Sequence, residues 1–76
     1  MTLGELSLDR AAAIVGVGGP AALARRLQAM GFLPGTSVKI VQVAPFGDPI
    51  TVELDGWRVS LRRSEAALLE VKEDVR

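Results

Sequence analysis

Apolar residues recur along this chain at two spacings, and the changes from one to the other mark its elements. Ile50, Val52 and Leu54 alternate with Thr51, Glu53 and Asp55, and Trp57, Val59 and Leu61 alternate with Arg58, Ser60 and Arg62. That period of two belongs to strands with one buried face. Asp55-Gly56 between the two runs suits a type I′ turn, which needs positive φ at both central positions. The pattern predicts a hairpin over 50–61. Upstream, Leu23, Leu27 and Met30 fall at helical spacing with Ala24 beside them, while Arg25, Arg26 and Gln28 take the other face. This predicts one amphipathic helix over 20–30. Pro20 fits the first helical position, where a missing N–H leaves no bond unmade, and Gly31 fits the left-handed residue that closes a helix. Phe32 is then placed to fold back on Leu27.

The remaining segments are shorter. Leu33-Pro34-Gly35 has the proline and glycine of a type II turn. Residues 37–44 read as a strand in which Val38 and Ile40 share a face but Val41 and Val43 change phase. A bulge near Ile40-Val41 accounts for that change, as does burial on both faces. A second turn follows at Pro45-Phe46-Gly47-Asp48-Pro49, with Asp48 placed to cap it through its own backbone. Residues 10–17 favour a strand through Ile14, Val15 and Val17, with helix as the competing reading because of three alanines. Leu3 and Leu6 are spaced to lie on a core. Ser64 is the expected cap of a short helical turn over 64–67, Leu69 and Val71 alternate in a last strand, and 73–76 reads as a frayed tail. Five short strands and one helix in 76 residues predict a mainly β, strongly bent small barrel forming a single domain, 1–76.

Composition narrows the function classes. Nine basic and nine acidic residues cancel, so the broad positive field of a nonspecific nucleic-acid binder is absent. The chain has no cysteine and no histidine, which removes thiolate ligands, the commonest imidazole metal ligand and the commonest general base. Ser7, Ser37, Ser60 and Ser64 therefore have no histidine to activate them, and no phosphate loop of the GxxxxGK type is present. No apolar run reaches the length of a membrane span and no leader pattern opens the chain. The expectation is a cytoplasmic, non-enzymatic protein without a cofactor.

Several of these segments together resemble a known family. Arg26-Leu27-Gln28-Ala29-Met30-Gly31, Leu33-Pro34-Gly35-Thr36, the turn Ala44-Pro45-Phe46-Gly47-Asp48-Pro49-Ile50 and the run Val59-Ser60-Leu61-Arg62 resemble FeoA proteins, small components of bacterial ferrous iron transport. With Leu3, Leu6 and 66–71 the likeness covers nearly the whole chain. It implies an SH3-like barrel of five strands with one α-helix and a short helical turn before the last strand. It also implies a partner, the membrane permease FeoB with its cytosolic GTP-binding domain, at which the protein would sit on the inner face of the plasma membrane. The same barrel closes DtxR-type metal-dependent repressors, whose N-terminal DNA-binding region has no counterpart here.

Six residues are candidates for touching such a partner: Leu27, Met30 and Phe32 as the edge of an apolar cleft, Phe46 as a loop-tip aromatic, and Arg58 and Arg62 as charges. Packing of the helix on the barrel, a purely structural turn, and an arginine face balanced by Glu53 and Asp55 are the plainer alternatives. Glu53/Asp55 and Glu73/Asp74 lack visible supporting ligands, so no metal site is assigned. A metal-responsive domain using carboxylates is the alternative function. An uncovered barrel edge or the apolar cleft would also support a homo-oligomer.

Overall fold

The computed structural model describes residues 1–74. Its most regular part is the predicted hairpin. β3 (Ile50–Leu54) and β4 (Trp57–Leu61) pair antiparallel in unbroken register, from Leu54 against Trp57 to Ile50 against Leu61. Asp55 and Gly56 both take positive φ, 47° and 81°, as the type I′ turn requires.

The strand before it, β2 (Ser37–Val43), pairs with β3 and slips register between Ile40 and Gln42. Val41 is thus the extra residue of a bulge, and the change of phase in the sequence has that cause. β1 (Ala11–Val17) runs antiparallel to β2 at its start and to β5 (Leu69–Glu73) along its length. A second register shift lies between Ile14 and Gly16 and turns Val15 outward. Strand wins over helix in this segment. The order is β4-β3-β2-β1-β5, a bent antiparallel sheet of the SH3 kind. Among the described residues no ladder joins β4 to β5, so there the sheet does not close through hydrogen bonds.

The α1 helix (Ala21–Ala29) begins one residue later than expected. Pro20 is its N-cap, not its first turn, and the Pro20 carbonyl accepts from Ala24 N–H at 2.9 Å. At the other end Gly31 takes φ 111°. Gly31 N–H bonds the Gln28 carbonyl at 3.0 Å and Phe32 N–H bonds the Leu27 carbonyl at 3.2 Å, the paired closure of a Schellman motif. Leu27 and Phe32 are driven inward together. They join Leu3, Leu6, Ile14, Ile40, Ile50, Val52, Leu61, Leu69 and Val71 in one core, and among the described residues no polar residue is buried.

Two end assignments differ from expectation. Ser64 does not cap the last helical turn: α2 spans Arg63–Ala66, and Arg62 N–H is satisfied by Glu65 Oε1 at 3.0 Å. A glutamate reaching back to the cap residue's own N–H anchors this turn, a different donor from the helical N–H that a serine hydroxyl would satisfy. Glu73 is not a frayed residue either. It lies in β5 opposite Ala12 and ion-pairs with Arg10 at 3.6 Å; residues 75 and 76 of the expected tail fall outside the described residues. A short 3₁₀ turn, Leu3–Glu5, opens the chain. Glu5 Oε1 accepts from Thr2 N–H at 2.9 Å and from the Thr2 hydroxyl at 3.1 Å.

Candidate partner-binding surface

The six candidate residues separate into a buried pair and an exposed remainder. Leu27 and Phe32 have no exposed surface, so the expected apolar cleft along the helix stripe does not include them. They are core residues: the Schellman closure that ends α1 is the local cause of their burial. Met30 is half-buried and packs against the core from outside.

Phe46 is the opposite case. Its side chain is fully exposed at the tip of the loop between β2 and β3, so the aromatic is not tucked. A tight turn puts it there: Gly47 N–H bonds the Ala44 carbonyl at 2.7 Å, and Ala44 N–H bonds the Pro49 carbonyl at 3.0 Å. The Asp48-Pro49 peptide is cis. Asp48 does not cap its own turn; its Oδ1 accepts from Arg63 N–H at 3.0 Å.

Arg63 fixes this loop from outside. Its Nε donates to the Gly47 carbonyl at 2.6 Å and its Nη1 to the Gly4 carbonyl at 3.0 Å. One guanidinium therefore ties the Phe46 loop to the opening 3₁₀ turn. Arg62, next to it, is exposed and lines a shallow cleft of about 300 Å³ with Asp48 and Pro49. Arg62 and the Phe46 loop thus share one end of the β3–β4 hairpin, because Ile50 and Leu61 are paired there.

Arg58 lies at the far end, roughly 13 Å along the strand from Arg62 at the usual rise per residue. It faces Glu53 across the hairpin at 3.5 Å. Both partners are well solvated, so the pair orients the guanidinium with little effect on stability. Beside it stands a residue that the alternation failed to single out. Trp57 lies on the same side of β4 as Val59 and Leu61 but is 74% exposed, directly after the turn at the end of the hairpin. Its position immediately after Asp55-Gly56 was the only sequence signal for that.

Among the described residues, no group of three or more Asp, Glu, His or Cys side chains converges as a metal site would. Glu53 and Asp55 border a second depression with Lys39, Ser37 and Gly56, where the lysine offsets their charge. Glu5 is perturbed by its contacts with Thr2. The Thr2 backbone N–H, followed by the Thr2 hydroxyl, holds its carboxyl below the usual value. No helix of the described residues is long and apolar enough to cross a membrane.

A small SH3-like sheet around an apolar core carries an exposed loop aromatic and arginines at both ends of one hairpin. The model for the FeoA domain matches residues 1–73, and this chain belongs to the FeoA family. A fusion protein of Fe(2+) transport protein A with the Fe(2+) transporter FeoB from Porphyromonas gingivalis is 40% identical over 72 residues, which is 95% of this chain. The chain spans 8% of the length of that relative. Among solved structures, the zinc complex of Stenotrophomonas maltophilia FeoA, described as a procaryotic SH3 domain protein, matches with a TM-score of 0.83 at 38% identity. That match covers 95% of this chain and 89% of the other. IdeR of T. acidophilum shares the fold alone, with a TM-score of 0.83 at 24% identity over 97% of this chain and 34% of IdeR.

Proposed function

We propose that this chain is a non-enzymatic accessory module of ferrous iron uptake that docks on the cytosolic GTP-binding domain of a FeoB-like permease. The observation that carries this reading is the fused relative, in which a FeoA region and a FeoB transporter are one polypeptide. Fusion keeps two domains at high effective concentration, which is useful when they work in contact. The accessible side chains fit such a role. Phe46 offers an apolar anchor on a loop held by Arg63, while Arg58 and Arg62 set orientation and association rate. Leu27 and Phe32 support the surface from inside. The module would alter transport or nucleotide turnover only by binding two states of the permease unequally.

The test is a binding titration of the full chain against the cytosolic domain of a FeoB-like permease, with and without GTP. Saturable binding that is lost in a folded Phe46→Ala variant supports the reading. Absence of binding in every nucleotide state overturns it. A second reading, a metal-responsive domain, draws on the zinc held by the Stenotrophomonas protein. On this reading, micromolar Fe²⁺ or Mn²⁺ raises the melting temperature, since a ligand specific to the native state must stabilise it. A melting temperature unchanged by either ion removes that alternative.

A further inference from the structure

The β4 strand ends the sheet order, so one of its edges has no neighbouring strand. Its two-residue turn makes Leu54 and Trp57 a hydrogen-bonded pair, and antiparallel alternation makes Val52–Val59 and Ile50–Leu61 the next bonded pairs. Arg58 and Ser60 fall between these, so their N–H and C=O groups point away from β3. Both residues are exposed, and among the described residues none of those four groups is hydrogen-bonded. The other terminal strand is treated differently. On β5, Val71 N–H donates to the Met1 carbonyl at 2.9 Å and Thr2 bridges Glu70, so the chain's own first residues cover that edge. β4 has no such cover, and no proline or bulge interrupts its five residues, two of the usual devices against strand addition.

What discourages strand addition here is charge of one sign. Residues 56–64 carry Arg58, Arg62 and Arg63 and no carboxylate. Arg63 is engaged by the Gly47 and Gly4 carbonyls, whereas Arg62 has no ion pair among the described residues. A second copy adding β4 to β4 antiparallel, centred on Val59, would bring both sets of Arg58 and Arg62 to one seam. Each Glu53 lies one strand back, already paired to its own Arg58, and Asp55 comes opposite only Arg63, whose guanidinium is already held by two carbonyls. An acidic strand meets the complementary arrangement. We infer that the open edge of β4 receives an extended, carboxylate-bearing segment of the permease's cytosolic domain as a sixth strand, an assignment that rests on the docking reading above. Arg58 and Ser60 would supply the backbone bonds, Arg58 and Arg62 would face the carboxylates, and Trp57 would cover an apolar side chain at the strand's end.

Amide hydrogen exchange on the full chain, free and with the cytosolic domain of a FeoB-like permease, tests this directly. In the free protein the Arg58 and Ser60 amides should exchange readily while Val59, bonded to β3, is protected. On binding, both should slow by at least about tenfold. Ser60→Pro removes an outward N–H without touching the bonds to β3, and Arg62→Glu reverses an unpaired charge. Each should weaken binding by about tenfold or more, and raising salt should weaken the parent. Thermal melts establish that each variant is folded; should Ser60→Pro fail to fold, Arg62→Glu and the exchange data decide. If the domain binds but the Arg58 and Ser60 amides are unchanged, the edge assignment is wrong and docking stands. If nothing binds in any nucleotide state, both fall. Protection of these amides that rises with protein concentration alone would identify a second copy as the occupant, and would overturn the acidic partner.

Discussion

The chain contains two phenylalanines, and the structure places them at the two extremes of exposure, 0% for Phe32 and 100% for Phe46. The same substitution, Phe to Ala, should therefore give opposite outcomes. Fully burying a phenylalanine removes about 150–250 Å² from water, which at about 25 cal/mol per Å² is roughly 4–6 kcal/mol. Measured Phe→Ala changes in cores cost about 3–5 kcal/mol, cavity included. A domain of 76 residues has a total stability of roughly 4–11 kcal/mol at ordinary values per residue. Phe32→Ala should thus consume about a quarter or more of the stability and leave a fold near its limit. Phe46→Ala should change stability by no more than about 0.5 kcal/mol, as surface substitutions do. Urea unfolding followed by far-ultraviolet circular dichroism separates them. With a urea slope of about 1 kcal/mol/M for a chain this small, the Phe32 variant's midpoint should fall by about 3 M or more. Trp57 fluorescence is a poorer probe, because its ring is already exposed. A Phe46 variant destabilised by more than about 1 kcal/mol, or a Phe32 variant with an unmoved midpoint, would falsify the division between core and exposed loop.

Three further outcomes follow from local geometry. Gly31→Ala should cost about 1–3 kcal/mol in thermal or urea melts, since Gly31 sits at φ 111° and a Cβ there would lie 3.0 Å from Leu54 Cδ1. Arg63→Ala should remove about 1–2 kcal/mol and speed amide exchange at Gly47, because the Gly47 carbonyl of the loop and the Gly4 carbonyl of the opening turn lose their shared donor. Glu5 should titrate below an unfolded glutamate in a carbon-detected NMR titration, and Thr2→Val should move it back up by removing the hydroxyl donor. Because its folded pKa is the lower one, the stabilisation Glu5 gives is complete above the unfolded value and is lost as pH falls through the folded value.

Much of this fold was legible where short-range pattern decides it. The 50–61 hairpin follows from alternation and Asp55-Gly56 alone, and the end of α1 follows from Gly31. The bulge at Val41 announced itself as a break in phase. Other features depend on what the rest of the chain brings near. Leu23, Leu27, Met30 and Phe32 look alike in a helical pattern, and only the closed turn at Gly31 separates the buried pair from the partly covered one. Ser64 is a good cap by type, but Glu65 reaches Arg62 first. Trp57 has the phase of a core residue and the position of a rim residue, and position wins. Arg63 reads as one of three solvated arginines, yet its partners Gly4 and Gly47 are far away in sequence. A donor aimed at distant carbonyls leaves no trace in local spacing.

The pairing of β1 with β5 also constrains how the protein folds. Ala12 meets Glu73, so this ladder must close a loop containing nearly the whole chain, whereas the β3–β4 hairpin closes two residues. Loop-closure entropy is paid before such distant contacts are rewarded, which places this domain among the slower, millisecond-to-second folders. The 50–61 hairpin should be formed in the folding transition state and β5 should join after it. Weakening β5, as in Val71→Ala, would then accelerate unfolding and leave the folding rate nearly unchanged. The last strand to dock is thus the first place where the native protein comes apart.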